Sequence, residues 1–350
     1  MNFTLKEKLL FVQTLFPKDL KLLEKIKTEV LESKEDFDIK DPLKEERVKI
    51  FAKEEYGKLK ELLKANSINT LLITDDSYPE NLKNIYAPPL VLFYKGDISV
   101  LKETLISIVG TRKPSSYGIK QATFFSDYLS KRGFVIISGM ASGIDTYAHK
   151  GALSGGKTVA VLGSSLTKVY PARNKKLFKE IIESGCVISE FSPLSITHPS
   201  NFPIRNRIIA GLSMFTLVIE AKERSGSLIT AMLALEEGRD VGAIPGNIDS
   251  ENSLGTNALI KNGAYLILSP DDILELPYYK GKVEYEEEEI MLSDNERKVL
   301  SLIPKGRMIN IDEIIEKAEL NYGELFNILL HLRFKNLIVE FSGKNYQRSN

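Results

Sequence analysis

LISIVGTRKPSSYGIKQATFFSDYLSKRGFVIISGMASGIDTYAHKGALSGGKTVAVLG, residues 105–163, decides the fold. Three β-branched runs, LISIVG (105–110), FVIISG (134–139) and TVAVLG (158–163), each end in glycine, and helix-length segments separate them. Runs that are apolar throughout, rather than alternating, suit strands covered on both faces by helices. Repeated βα alternation predicts a mostly parallel, doubly wound α/β sheet with right-handed crossovers. The pattern continues through CVISEF (186–191), FTLVIEA (215–221), DVGAIPG (240–246) and AYLIL (264–268). Upstream, Pro79, Pro88 and Pro89 punctuate the runs LLIT and LVLFY, which read as edge strands added to the same sheet.

The flanks have a different texture. Residues 1–66 are rich in Lys and Glu, with Leu9, Leu10, Leu20, Leu23 and Ile26 at helical spacing, and predict a small helical domain. Residues 67–278 make the sheet domain, and 279–292 a charged linker containing EYEEEEI. Residues 293–350 read helix, helix, helix, hairpin, the order of a winged helix. Ser293 and Glu296 give its first helix a capping signal.

The 350 residues include 47 Lys+Arg and 47 Asp+Glu, a formal net charge of zero. One cysteine, Cys186, excludes an intrachain disulfide framework and a multi-cysteine metal site. There is no apolar run long enough for a transmembrane helix, and the N-terminus lacks a signal-peptide core, so a cytoplasmic protein is expected. Neutrality by itself argues against a nucleic-acid binder. The placement of charge argues otherwise. No acid occurs in 104–126, 146–179 or 191–219, which contain Arg112, Lys113, Arg173, Lys175, Arg205 and Arg207 among their cations. The strand-end loops in these windows should gather at the carboxyl edge of the sheet, where open α/β sheets bind ligands. A one-signed cleft there focuses potential whatever the net charge.

Three loops are candidate anion sites. Ser138–Asp145, SGMASGID, could cradle phosphate with backbone N–H groups, although its glycine spacing is not the dinucleotide fingerprint. In NFPIRNRII (201–209), Arg205 and Arg207 offer guanidinium forks and Phe202 a ring for a base. Ion pairing of these arginines is disfavoured because no carboxylate lies nearby in sequence. Ser225-Gly226-Ser227 opens a helix and could bind phosphate or only cap it. No GxSxG elbow or Walker A lysine is present. Asp145, Glu190 and Glu220 near strand ends read as caps rather than catalysts, and His149 and His198 as structural.

These motifs together resemble the DprA/Smf family (DNA-processing protein A). The resemblance runs through SIVGTRKPSSYG, ISGMASGIDTYAHKGAL, TVAVLGSSLTKVYPARNKKLF, FPIRNRIIAGLS and VIEAKERSGSLITAMLALEEGRDVGAIPG. It implies an extended Rossmann-like domain between a SAM-like helical domain and a winged helix. It implies single-stranded DNA as ligand, homodimerisation, loading of RecA recombinase in natural transformation, no catalysis and no cofactor. Carried over, the binding residues are Arg112, Gly139, Ser142, Gly143, Lys175, Phe202, Arg205, Arg207, Ser225, Gly226 and Ser227, with Leu259 and Ile260 at the dimer patch. Many relatives have arginine where this chain has Ser142. The fold is also similar to LOG-type nucleotide phosphoribohydrolases, which keeps a nucleotide-binding or nucleotide-hydrolysing enzyme as the alternative. The motif pieces IPGNIDS and LGTNALI are separated here and lack the active-site glutamate of those enzymes.

Overall fold

The computed structural model describes residues 3–33, 37–39, 41–276, 279, 292–318, 320–335 and 337–348. The chain divides into two compact units, 1–283 and 284–350.

The first unit opens with helices α1 (Leu5–Leu15), α2 (Leu20–Ser33), α3 (Pro42–Glu54) and α4 (Tyr56–Ala65). Thr4 and Glu7 close a capping box on α1, Asp19 accepts from the Leu22 N–H at the start of α2, and Asp41 caps α3, so three of the four starts are set by local hydrogen bonds. Strand β1 (Asn69–Leu72), helix α5 (Glu80–Lys83) and strand β2 (Val91–Gly96) follow. The βα series is β3 (Leu105–Val109), α6 (Ser116–Lys131), β4 (Val135–Ser138), α7 (Ile144–Ala152), β5 (Thr158–Leu162), α8 (Lys175–Ser184) and β6 (Cys186–Ser189). It continues with α9 (Asn201–Leu212), β7 (Phe215–Val218), α10 (Gly226–Glu236), β8 (Asp240–Ala243), α11 (Leu254–Lys261), β9 (Tyr265–Leu266) and α12 (Asp271–Leu274).

All seven strands expected from the apolar runs are present, in a nine-stranded sheet of order β1-β2-β6-β5-β4-β3-β7-β8-β9. From β6 to β9 every pairing is parallel; β1 and β2 add antiparallel pairings at one side, as the proline-bounded runs predicted. The strands alternate between two cores. Val135 and Ile137 join one, and Ile136 the other. This two-sided burial explains why their sequences do not alternate. The first core also takes in Leu9, Phe11, Leu23 and Phe51, so the N-terminal helices and the sheet share one interior. Tyr279, read from sequence as the first linker residue, is buried and packs edge-on against Phe134 at 5.2 Å. The rest of the expected linker, apart from 292, lies outside the described residues.

The second unit has α13 (Asp294–Leu302), β10 (Ile309–Asn310), α14 (Ile311–Ala318), α15 (Tyr322–Phe334), β11 (Ile338–Phe341) and β12 (Asn345–Arg348). Its strands pair in the order β10-β12-β11 around a separate core that includes Val299, Ile314 and Leu325. The Ser293–Glu296 capping box is formed in both directions. Among the described residues, no helix is long and apolar enough to cross a membrane.

Candidate nucleic-acid interface

Strand order reverses at β3, which has β4 on one side and β7 on the other. Such a switch point opens a crevice beyond the strand ends. Two adjoining cavities occupy it here, of about 560 and 320 Å³. The larger is lined from β3 by Gly110, Thr111 and Arg112, from α9 by Phe202, Arg205 and Asn206, and after β7 by Lys222 and Arg224 through Ser227. The smaller is lined by Arg112, Lys113, Gly139, Ser142, Tyr170, Arg173 and Phe202, among others.

The loop after β4 folds around its own aspartate. Asp145 accepts from the N–H of Gly139 (3.2 Å) and of Ala141 (3.3 Å). Burial pushes its carboxyl up, opposed by Arg205 and these two N–H groups. Gly143, at φ +86°, precedes α7, and a side chain on it would strike the Thr111 carbonyl at 2.3 Å. Asn174 braces the same loop, donating to the Met140 carbonyl at 2.9 Å and to Thr146 Oγ1 at 3.0 Å. The loop therefore uses two of its N–H groups internally, which corrects its reading as a general phosphate cradle. The rim is also not free of acids, as the acid-free windows suggested, because Asp145 lines the larger cavity.

Arg205 and Arg207 depart most from expectation. Arg205 is buried, and its guanidinium donates to the Gly139 carbonyl at 2.7 Å and to the Val161 carbonyl. It reaches the cleft only as part of the wall. Burial pushes it down to about 10, so it is protonated at neutral pH. A Cβ on Gly139 would lie 2.4 Å from the Arg205 guanidinium, so the close approach of Arg205 requires glycine there. Arg207 does not line either cavity. It forms a bidentate pair with the fully buried Glu190, at 2.7 and 3.2 Å. The partner is distant in sequence, so spacing could not reveal it.

The other sequence candidates are spread around the cleft. Arg112 is exposed, 5.6 Å from the centre of the Phe202 ring, and lines both cavities. Lys175 is exposed at the start of α8, outside both cavity walls. Ser225 caps α10 through the Ser227 N–H, and Ser225, Gly226 and Ser227 line the larger cavity. Leu259 and Ile260 are half-buried on α11. Glu220 is committed to structure: it accepts from the Ser115 N–H (2.9 Å) and hydroxyl (2.5 Å) and holds the loop that presents Arg112. His149 is buried and His198 bonds Ser200 at 2.8 Å. Tyr170 and Lys222 were not singled out in the sequence. Tyr170 sits in an apolar-looking stretch before a proline, and Lys222 follows a strand end beside two further charged residues.

A family model described as DNA recombination-mediator protein A matches residues 69–277. The chain is 40% identical over 254 residues to DNA processing protein DprA of Bacillus subtilis (strain 168), covering 71% of this chain and 85% of that one. Its fold is similar to the crystal structure of DprA from Streptococcus pneumoniae, with 36% identity, a TM-score of 0.71 and coverage of 78% and 98% of the two chains. It is also similar to the DNA processing protein A of Helicobacter pylori, solved for its single-stranded DNA binding mode, with 29% identity, a TM-score of 0.55 and coverage of 59% and 94%. The switch-point cleft lies within the matched residues 69–277, and the chain belongs to the DNA recombination-mediator protein A family.

Proposed function

We propose that the cleft at the β3 switch point binds single-stranded DNA and that the chain hands the strand to a RecA-type recombinase. The observation behind this is the cleft itself: cations from three separate loops, after β3, β5 and β7, face two cavities that share exposed or half-buried rings. Arg112, Lys113, Arg173, Arg224 and Lys175 contact phosphates in this reading, and the α10 N-terminus at Ser225–Ser227 adds N–H donors. Arg205 forms part of the wall and Arg207 is engaged by Glu190, so neither touches the strand. A non-catalytic role is supported by the carboxylates: Asp145, Glu190 and Glu220 are each held by internal hydrogen bonds. Leu259 and Ile260 belong to a homodimer contact in the same proposal.

The test is a gel shift with single-stranded and duplex DNA of equal length across salt, using Arg112→Glu and Lys175→Glu together. Both side chains are exposed, so the variant should melt like the parent while single-strand affinity falls at least about tenfold. Unchanged affinity would reject the site.

A further inference from the structure

The two cavities share Arg112, Ala141, Tyr170 and Phe202 as a common wall. The rings of Tyr170 and Phe202 lie 5.4 Å apart between centroids, inclined at 42°. A base held between two rings needs about 7 Å, two van der Waals separations of about 3.5 Å each. The gap is too small, so the rings pack on each other. Phe202 is further enclosed by Arg112 and by Gly163, where a Cβ would meet its ring at 2.7 Å. Tyr170, in contrast, is 53% exposed.

We infer that Tyr170, backed by Phe202, is the ring on which a nucleobase stacks, and that this pair divides the cleft into two unlike subsites. The inference rests on the single-stranded DNA reading above. On the smaller side, Lys113 and Arg173 flank Tyr170 and suit the phosphates beside a stacked base. On the larger side, the hydroxyls of Thr111, Ser225 and Thr230 stand among the charged Asp145, Arg205, Lys222 and Arg224 and suit the hydrogen-bonding edge of the neighbouring base, while the Asn206 amide is engaged by Arg205 and the Gly226 carbonyl. Phe202 orients Tyr170 rather than taking the base itself. A strand crossing the wall therefore places one base in a stacked site beside Lys113 and Arg173, and the next in a wider site where hydroxyl groups stand among Asp145, Lys222 and Arg224.

The experiment uses the full chain and single-stranded oligonucleotides with 2-aminopurine at successive positions. The chain has no tryptophan, so probe fluorescence is read without that background. Wild-type protein should quench the probe through stacking. Tyr170→Leu should abolish the quench and weaken binding about tenfold, and Tyr170→Phe should retain both. Phe202→Leu should weaken the quench less than Tyr170→Leu. Equal quench and affinity in wild type and Tyr170→Leu would overturn the inference while leaving strand binding in place. Equal losses in Tyr170→Phe and Tyr170→Leu would also overturn it, since the hydroxyl and not the ring would be responsible. Absence of binding by the wild-type chain would remove the single-stranded DNA reading as well.

Discussion

At the scale of single residues, two arginines separated by one position play different parts from those their exposed-looking motif suggests. Arg205 bonds backbone carbonyls and Arg207 a buried carboxylate. Removing one member of a buried ion pair leaves the other charge uncompensated, which costs about 3–5 kcal/mol. Arg207→Ala should therefore lower the unfolding free energy, measured by urea denaturation, by about that amount, with Glu190 left alone in the core. Restoration of stability in the double variant Arg207→Met, Glu190→Leu would identify the lone charge as the cause. Arg205→Glu sets a carboxylate against two carbonyl oxygens and should unfold the domain. Its loss of DNA binding would then accompany loss of circular dichroism, unlike that of Arg112→Glu. The sequence could show that NFPIRNR is special, but not which way its forks point. Glu190 is 17 residues upstream of Arg207, and only the packing of α9 over the end of β6 joins them. Local charge spacing is informative on a helix face and silent about a core.

At the scale of elements, the strands were legible and the loops were not. The runs ending at Gly110, Gly139 and Gly163 fix their strands to within one residue, because two-sided burial favours continuous apolar runs, whereas DVGAIPG overruns β8 by three residues. Loop roles depend on distant partners, as with Glu220 gripping Ser115 across 105 residues. The α7–β5 contact gives a testable case. Thr158 donates its hydroxyl proton to the Ile136 carbonyl at 2.6 Å, so at its 2.7 Å contact with His149 it must accept. His149 is therefore the neutral tautomer protonated at Nδ1. Burial, with Arg205 nearby, pushes it down to about 3. The unfolded chain takes up a proton near the ordinary histidine value of about 6.5, and the folded chain does not. The stability tied to this residue is complete above about 6.5 and is lost as pH falls toward 3, by up to about 1.4 kcal/mol per pH unit. His149→Leu should flatten the stability–pH curve over that window, measured by urea denaturation at successive pH values. An unchanged slope would show that the residue protonates in place.

At the scale of the whole molecule, a net charge of zero restricts where a polyanion can bind. Residues 284–350 hold 9 basic and 13 acidic side chains, so the second unit offers no general attraction to phosphate. Both cavities and the cations around them lie within 1–283, which has its own two cores. Lys222 is partly neutralised by its pair with Glu251, which leaves Arg112, Lys113, Arg173, Lys175 and Arg224 as the main phosphate contacts of the proposed site. Each contact to a single strand contributes about −0.7 to the slope of log affinity against log salt. Four or five contacts predict a slope of about −3, and Arg112→Ala should make it shallower by about 0.7. Removing everything after residue 283 should leave the slope of about −3 in place, because the cationic loops are retained. Titrations of a fluorescent oligonucleotide at several salt concentrations measure all three values. A slope that collapses on truncation would move the interface to the second unit, where the charge balance gives no reason for it to be.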